Sequence, residues 1–333
     1  SFSPDGRTLA IAAATGIVEL YGVGDGENTV LQVTPEPTTE DIRALLDDAQ
    51  NAYADASYQD AVELATLVLD VEVDNIEALR IRADSYRRLD DNALATADYT
   101  TLLSLDSTDA DHHFFRGLTA YRAEDTDYAM VVDDMTMAIE LNFSDLAWAH
   151  NVRALSHVRL ENYDEALADY DRALEILPTY RIVYSNRAIL LGERLGQWME
   201  SMDDRKYVLL EFAPNSGTSF NNLAWGYVQI GQYQEALGFA NLALEIEPDE
   251  SNTVDTRGWA YLGLGEYDLA ITDFEQAIAL DNMYSHFGLG VLYAELGDTA
   301  LAIENLEIYL EDAGESADED AIALFEALQA DAD

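Results

Sequence analysis

The sequence has no cysteine and a single lysine, Lys206, among its 333 residues. Without thiols there is no disulfide framework, no thiolate metal site and no thiol nucleophile. Basic residues are scarce overall, 17 against 65 acidic ones, for a formal net charge of −48. A phosphate backbone is held by Lys and Arg, so nucleic acid is excluded as a partner. No apolar run is long enough to span a bilayer, and no secretory leader opens the sequence, so membrane insertion is not expected. The acidity has two readings: attraction of a cationic partner, or a solvating surface suited to high salt. The acids are spread through the chain rather than clustered, which favours the second.

What is present is a period of about 34 residues. A small residue recurs at Ala49, Ala83, Gly117, Ala154, Ala188, Ala224, Gly258 and Gly290. A companion follows in the next helix at Ala61, Ala95, Val131, Ala166, Ser201, Ala236, Ala270 and Ala302. Small residues at both sites let two helices approach closely while large neighbours fill the flanks. A fixed period of this kind predicts stacked helical hairpins whose core is one continuous seam, and such arrays usually bind rather than catalyse.

Residues 42–313 read as eight helix–turn–helix units. The clearest, FNNLAWGYVQIGQYQEALGFANLALEIEPD, carries Leu223, Ala224, Tyr227, Gly231, Tyr233, Ala236, Ala243 and Pro248. Residues 147–180, with Ala154, Tyr163, Ala166, Tyr170, Ala173 and Pro178, and residues 251–282, with Gly258, Tyr261, Gly265, Tyr267, Ala270, Phe274 and Ala277, follow it closely. These units resemble the tetratricopeptide repeat (TPR) family. Units one, three and five depart most, at Asp48, the lengthened AEDTDY turn and Ser201. The resemblance implies an all-α, right-handed superhelical solenoid. Ser316 and Glu319 fit a capping box opening a helix over 316–330, whose face of Ala321, Ile322, Leu324, Phe325 and Leu328 would cap the seam.

Residues 1–33 differ in kind. After the Pro4-Asp5-Gly6 turn, Thr8–Ala13 and Ile17–Tyr21 form two β-rich runs. FSPDGRTLAIAAATGIVELYGV resembles part of a WD-repeat β-propeller blade, with Tyr21-Gly22 in place of the Trp-Asp ending. A short β-hairpin remnant is expected there, and residues 34–41, with Pro35 and Pro37, read as a linker. Opening on Ser and on half a blade, the sequence reads as the C-terminal piece of a longer protein, so localisation stays unknown. Gly22, Gly24 and Gly26 lead into the linker rather than a helix, so no phosphate cradle is expected.

Five units carry Arg just before the first small residue and Asp sixteen to eighteen residues later: Arg82 with Asp98, Arg116 with Asp134, Arg153 with Asp169, Arg187 with Asp204 and Arg257 with Asp273. Where the Arg is missing the Asp is missing too: Asp48 goes with Leu64, Leu223 with Phe239 and Leu289 with Asn305. Joint loss points to structural ion pairs between the two helices of a unit, rather than a basic ligand-binding row. Trp225 and Trp259 occupy equivalent sites, and Asn151, Ser185, Asn221 and Asp255 form a polar row one turn earlier. In the family's geometry these sites face a concave groove, where rings would hold apolar side chains and amides the backbone of an extended peptide. Packing between neighbouring first helices is the other reading of the two Trp. Asn186 and Asn222 resemble the Asn of peptide-clamping members, although the Lys that would clamp a terminal carboxylate are absent.

His150 and His157 share a helix face, but sister units carry aromatic residues there, so packing is preferred over a metal. Asp106, Asp109, Asp111, His112 and His113 lack the spacing of a calcium loop. No catalytic constellation, cofactor or metal is therefore expected. The functional expectation is a protein-interaction scaffold, centred on units four to seven and binding a protein or peptide, with a cationic one favoured by charge. Its alternatives are the regulatory arm of a larger signalling enzyme and a structural spacer or self-association module. Oligomeric state is open.

Overall fold

The computed structural model describes the backbone of residues 8–12, 18–22, 30–33 and 38–332, and the side chains of residues 38–330. The chain divides after Ser144 into two compact units. The first unit opens with strands β1 (Thr8–Ala12), β2 (Val18–Gly22) and β3 (Val30–Val33), an antiparallel meander in which Thr8 faces Gly22 and Val18 faces Val33. The sequence predicts two strands here, and the third lies in a stretch not read as β. The meander gives no support to a propeller blade, which needs four strands packed among sister blades. The Pro4-Asp5-Gly6 turn, Gly24, Gly26 and the linker prolines Pro35 and Pro37 lie outside the described residues.

Three helix pairs complete the first unit: α1 (Thr39–Ala54) with α2 (Tyr58–Leu69), α3 (Ile76–Arg88) with α4 (Asn92–Leu105), and α5 (Ala110–Arg122) with α6 (Tyr128–Glu140). The second unit holds five more. They are α7 (Leu146–Arg159) with α8 (Tyr163–Ile176), α9 (Arg181–Ile189) with α10 (Trp198–Phe212), α11 (Gly217–Gln229) with α12 (Tyr233–Ile246), α13 (Ser251–Gly263) with α14 (Tyr267–Ala279), and α15 (Ser285–Glu295) with α16 (Thr299–Ala313). A final helix, α17 (Glu319–Ala332), packs on α15 and α16.

The period explains these pairs. Both rows of small residues are buried, and the glycines show why they must be small. A Cβ added at Gly258 would come within 2.8 Å of the Phe274 ring, and one at Gly290 within 2.7 Å of Leu306. Ala236 is fully buried in the same role. Ala236→Leu will therefore cost roughly 1–3 kcal/mol by overpacking, read from denaturant unfolding. An unchanged midpoint would show that close approach is not what the row provides. The turn inside seven of the eight pairs contains a left-handed residue; Gly231 (φ 72°) fills it in the sixth pair, whereas Glu161 (φ 61°) does so in the fourth despite its Cβ.

The helix ends are capped locally. Thr38 accepts from the Asp41 amide at 3.2 Å and Asp41 returns a bond to the Thr38 amide at 2.8 Å, a reciprocal capping box. The last helix departs from expectation. Ser316 turns back to the carbonyl of Ala313, Asp318 accepts from the Asp320 amide, and the helix starts at Glu319. Its buried face is Ala321 with Leu324, Phe325 and Leu328 against Phe287, Leu306 and Tyr309. Ile322, expected on that face, is 39% exposed, because it sits one residue round from Ala321.

Candidate functional site

Each of the five Arg–Asp pairs is a two-bond fork. In every case Nε and Nη2 of the arginine donate to the two carboxylate oxygens of the aspartate, at 2.7–2.8 Å. The aspartates are buried and the arginines only partly so. Nη1 also reaches back in Arg82 to the Thr66 hydroxyl, in Arg187 to the Asp171 carboxylate and in Arg257 to the Asn241 side-chain oxygen. Each acceptor lies on the second helix of the preceding pair, so one guanidinium fastens both its own pair and the pair before it. These bonds hold Arg82, Arg187 and Arg257 in their charged form, with bonding to Asp98, Asp204 and Asp273 the largest cause.

Histidine joins this network, which the sequence reading missed. His113 Nδ1 lies 3.0 Å from Asp134 Oδ1, and His150 Nδ1 lies 2.7 Å from Asp169 Oδ1. In the last pair, where Arg and Asp are both missing, His286 Nδ1 meets Asn305 Oδ1 at 2.9 Å. His157 Nε2 comes within 4.0 Å of Asp169. The packing reading of His150 and His157 therefore gains a polar part: His150 is buried and also bonds a carboxylate, whereas His157 only approaches one, and its Nδ1 is buried without a hydrogen bond. Burial alone would raise the Asp169 carboxyl, but His150 and Arg153 outweigh it and hold it below the usual range. His112, Asp106 and Asp109 serve the inter-pair turn, where Asp109 accepts from the His112 amide and Asp106 from that of Thr108.

The polar row splits. Asn151 and Asp255 are buried, each 5% exposed, and each is engaged by the following pair. Asn186 donates to Asn151 Oδ1 at 3.2 Å, and the Ser285 hydroxyl donates to Asp255 Oδ1 at 2.6 Å. Neither can clamp a peptide backbone as expected, because the neighbouring first helix covers it. Burial drives the Asp255 carboxyl up to about 7, with the Ser285 hydroxyl and the Trp259 indole pulling the other way. Ser185 and Asn222 line a small cavity of about 120 Å³ beside Arg205, whose Nη1 donates to the Asn222 carbonyl at 3.2 Å. Asn221 Oδ1 is buried without a hydrogen bond.

Trp225 and Trp259 do meet. Their ring centres are 6.5 Å apart and nearly perpendicular. Trp259 also packs edge-to-face on Phe274 and on Phe287, at 5.6 and 5.5 Å. The two readings of this pair are not exclusive: the rings pack between first helices and also line a cavity of about 560 Å³ with Trp198, Tyr284 and Phe287. The walls of that cavity come from the first helices α11, α13 and α15 and, through Trp198, from the second helix α10. One edge comes from a π-helical turn, Leu190–Arg194, which continues α9 and carries Gly192 and Glu193. Gly192 is required there, since a Cβ would come within 2.8 Å of the Trp198 ring. The opposite edge is Asp318 and Asp320, at the start of α17.

Comparison with known proteins agrees with this architecture. The family profile described as tetratricopeptide repeat matches residues 147–180, and a second of the same description matches residues 256–318. The small glutamine-rich tetratricopeptide repeat-containing protein 2 of Mycosarcoma maydis is 30% identical over 95 residues, which are 28% of this chain and 26% of that protein. The chain thus spans about a quarter of that relative's length. A tetratricopeptide repeat protein from Parabacteroides merdae superposes with a TM-score of 0.53 at 19% identity, over 81% of this chain and 98% of that one. A chain of the APC/C hetero-tetramer Cut9–Hcn1 does so with a TM-score of 0.53 at 17% identity, over 85% and 55%. Those identities speak for the fold alone. With one matched segment covering α7 and α8 and the other running from α13 to the turn before α17, the chain carries tetratricopeptide repeats.

Proposed function

We propose that this chain is a protein-interaction scaffold that binds an extended segment of a partner on the first helices of its last four pairs. The observation that carries the reading is the cavity walled by Trp225 and Trp259. Stacked repeats present an extended surface made by equivalent positions of successive units. Large rings at two equivalent positions supply anchors that lose little side-chain entropy on binding. The site moves toward the C-terminus relative to the sequence expectation, because Asn151 is covered and the cavity is completed by Tyr284 and Asp318.

The test is capture from a random peptide library by the full chain. Ligands held by the parent should be lost by Trp225→Ala combined with Trp259→Ala. Since Trp259 also packs in the core, Trp225→Ala alone is run beside it, with helicity checked by circular dichroism. If both variants keep their helices and still hold every captured peptide, the cavity is not the binding site.

A further inference from the structure

The chemistry of the cavity says more than that a segment binds there. Three carboxylates line it, Glu193, Asp318 and Asp320, and no basic side chain does. Between them lie indole and phenol rings rather than aliphatic groups. An acidic rim around aromatic walls is the complement of a delocalised cation, which gains from ring faces and carboxylates together. Resting on the binding reading above, we propose that this cavity receives the guanidinium of an arginine side chain carried by the bound segment.

The protein already uses this contact internally. Arg87 lies over the Phe115 ring at 4.3 Å, and Arg205 over Trp198, a wall of the cavity, at 5.6 Å. Arg205 also donates to Glu193 at 3.2 Å, so one ring and one carboxylate of the site already serve a guanidinium. Trp225, Trp259, Asp318 and Asp320 bring the same two chemistries to the cavity. Arginine suits it better than lysine: its planar group is weakly hydrated, stacks on rings and offers a fork to carboxylates, whereas an ammonium is a compact, strongly hydrated charge. The net charge of −48 adds long-range attraction that weakens with salt. The acids of the rim come from two places outside the repeat period, the π turn and the start of α17, so ordinary repeat packing does not account for their convergence.

The experiment titrates the full chain with short alanine peptides bearing one central arginine, lysine or citrulline, read by tryptophan fluorescence. Citrulline keeps the shape and removes the charge. The arginine peptide is expected to bind roughly tenfold or more tightly than the citrulline peptide, with lysine between them. Asp318→Asn with Asp320→Asn should abolish most of that preference; Asn at 318 still caps α17. Equal binding of arginine and citrulline, a lysine peptide binding best, or a preference unmoved in the double variant would each overturn the assignment. Library peptides that depend on Trp225 but show no arginine enrichment would overturn it too, while leaving the binding surface standing. Library peptides indifferent to Trp225 and Trp259 would remove both.

Discussion

Replacing Asp255 with Asn will stabilise this protein at pH 8 and do little at pH 4. Asp255 is 5% exposed and accepts from the Ser285 hydroxyl, with no cation among the described residues bonded to its carboxylate. Burial therefore raises its carboxyl from the ordinary value of 3.8 to about 7. A raised pKa in the folded state means that the folded chain holds this proton more tightly than the unfolded one. The associated stability is fully present below pH 3.8 and is lost as pH rises through 7. Asn keeps the acceptor for Ser285 and never ionises, so it avoids that loss. The advantage of Asp255→Asn over the parent should grow across pH 4 to 7, reach about 4 kcal/mol and then level off. Denaturant unfolding of both proteins at several pH values checks it. A difference that stays flat over that range would show that Asp255 does not titrate as its burial demands.

Much of this molecule could be read from its sequence, for identifiable reasons. The period worked because close helix approach selects Gly or Ala at the same two sites in every pair, and geometry of that kind leaves a mark in residue type. The Arg–Asp forks worked because both partners vanish together, at Leu223 with Phe239 for instance. The carboxylate bond of His150 was missed because sister positions carry rings such as Tyr184, and an imidazole passes for one more ring. The signal that could have corrected it was available: His150 stands three residues before Arg153, on the same helix face, within reach of the same aspartate. Burial of Asn151 and Asp255 was not legible. Spacing tells which face a residue takes but not whether Asn186 or Ser285 of the next pair will close over it. The cavity was hidden for a related reason. Two of its edges, the π turn at Leu190–Arg194 and the start of α17, lie outside the repeat, so no periodicity announces them. Nor did β propensity around Val30–Val33 stand out in so short a run.

Arg257→Leu should cost about 3–5 kcal/mol, and adding Asp273→Phe should return most of it. Asp273 is 4% exposed and draws both of its fork bonds from Arg257. Removing the arginine alone strands a carboxylate in the seam, and an unpaired buried charge is among the costliest defects a fold can carry. Replacing both partners by apolar groups removes the desolvation penalty along with the attraction, and that can be nearly neutral. The preceding pair shows the substitute working: Leu223 is buried in a cluster with Met202 and Leu209, and Phe239 packs against it. This pair is better suited to the test than Arg153 with Asp169, where His150 would go on bonding the stranded carboxylate. The reciprocal graft, Leu223→Arg with Phe239→Asp, should likewise be tolerated better than either change alone. One loss will persist in the first double variant, the reach of Arg257 Nη1 to Asn241 on the pair before. Recovery should therefore be large but incomplete, and the shortfall measures what the arginine contributes between pairs rather than within one. If the two single costs simply add in the double variant, the forks are not coupled units, and their joint gain and loss through the repeats has another cause.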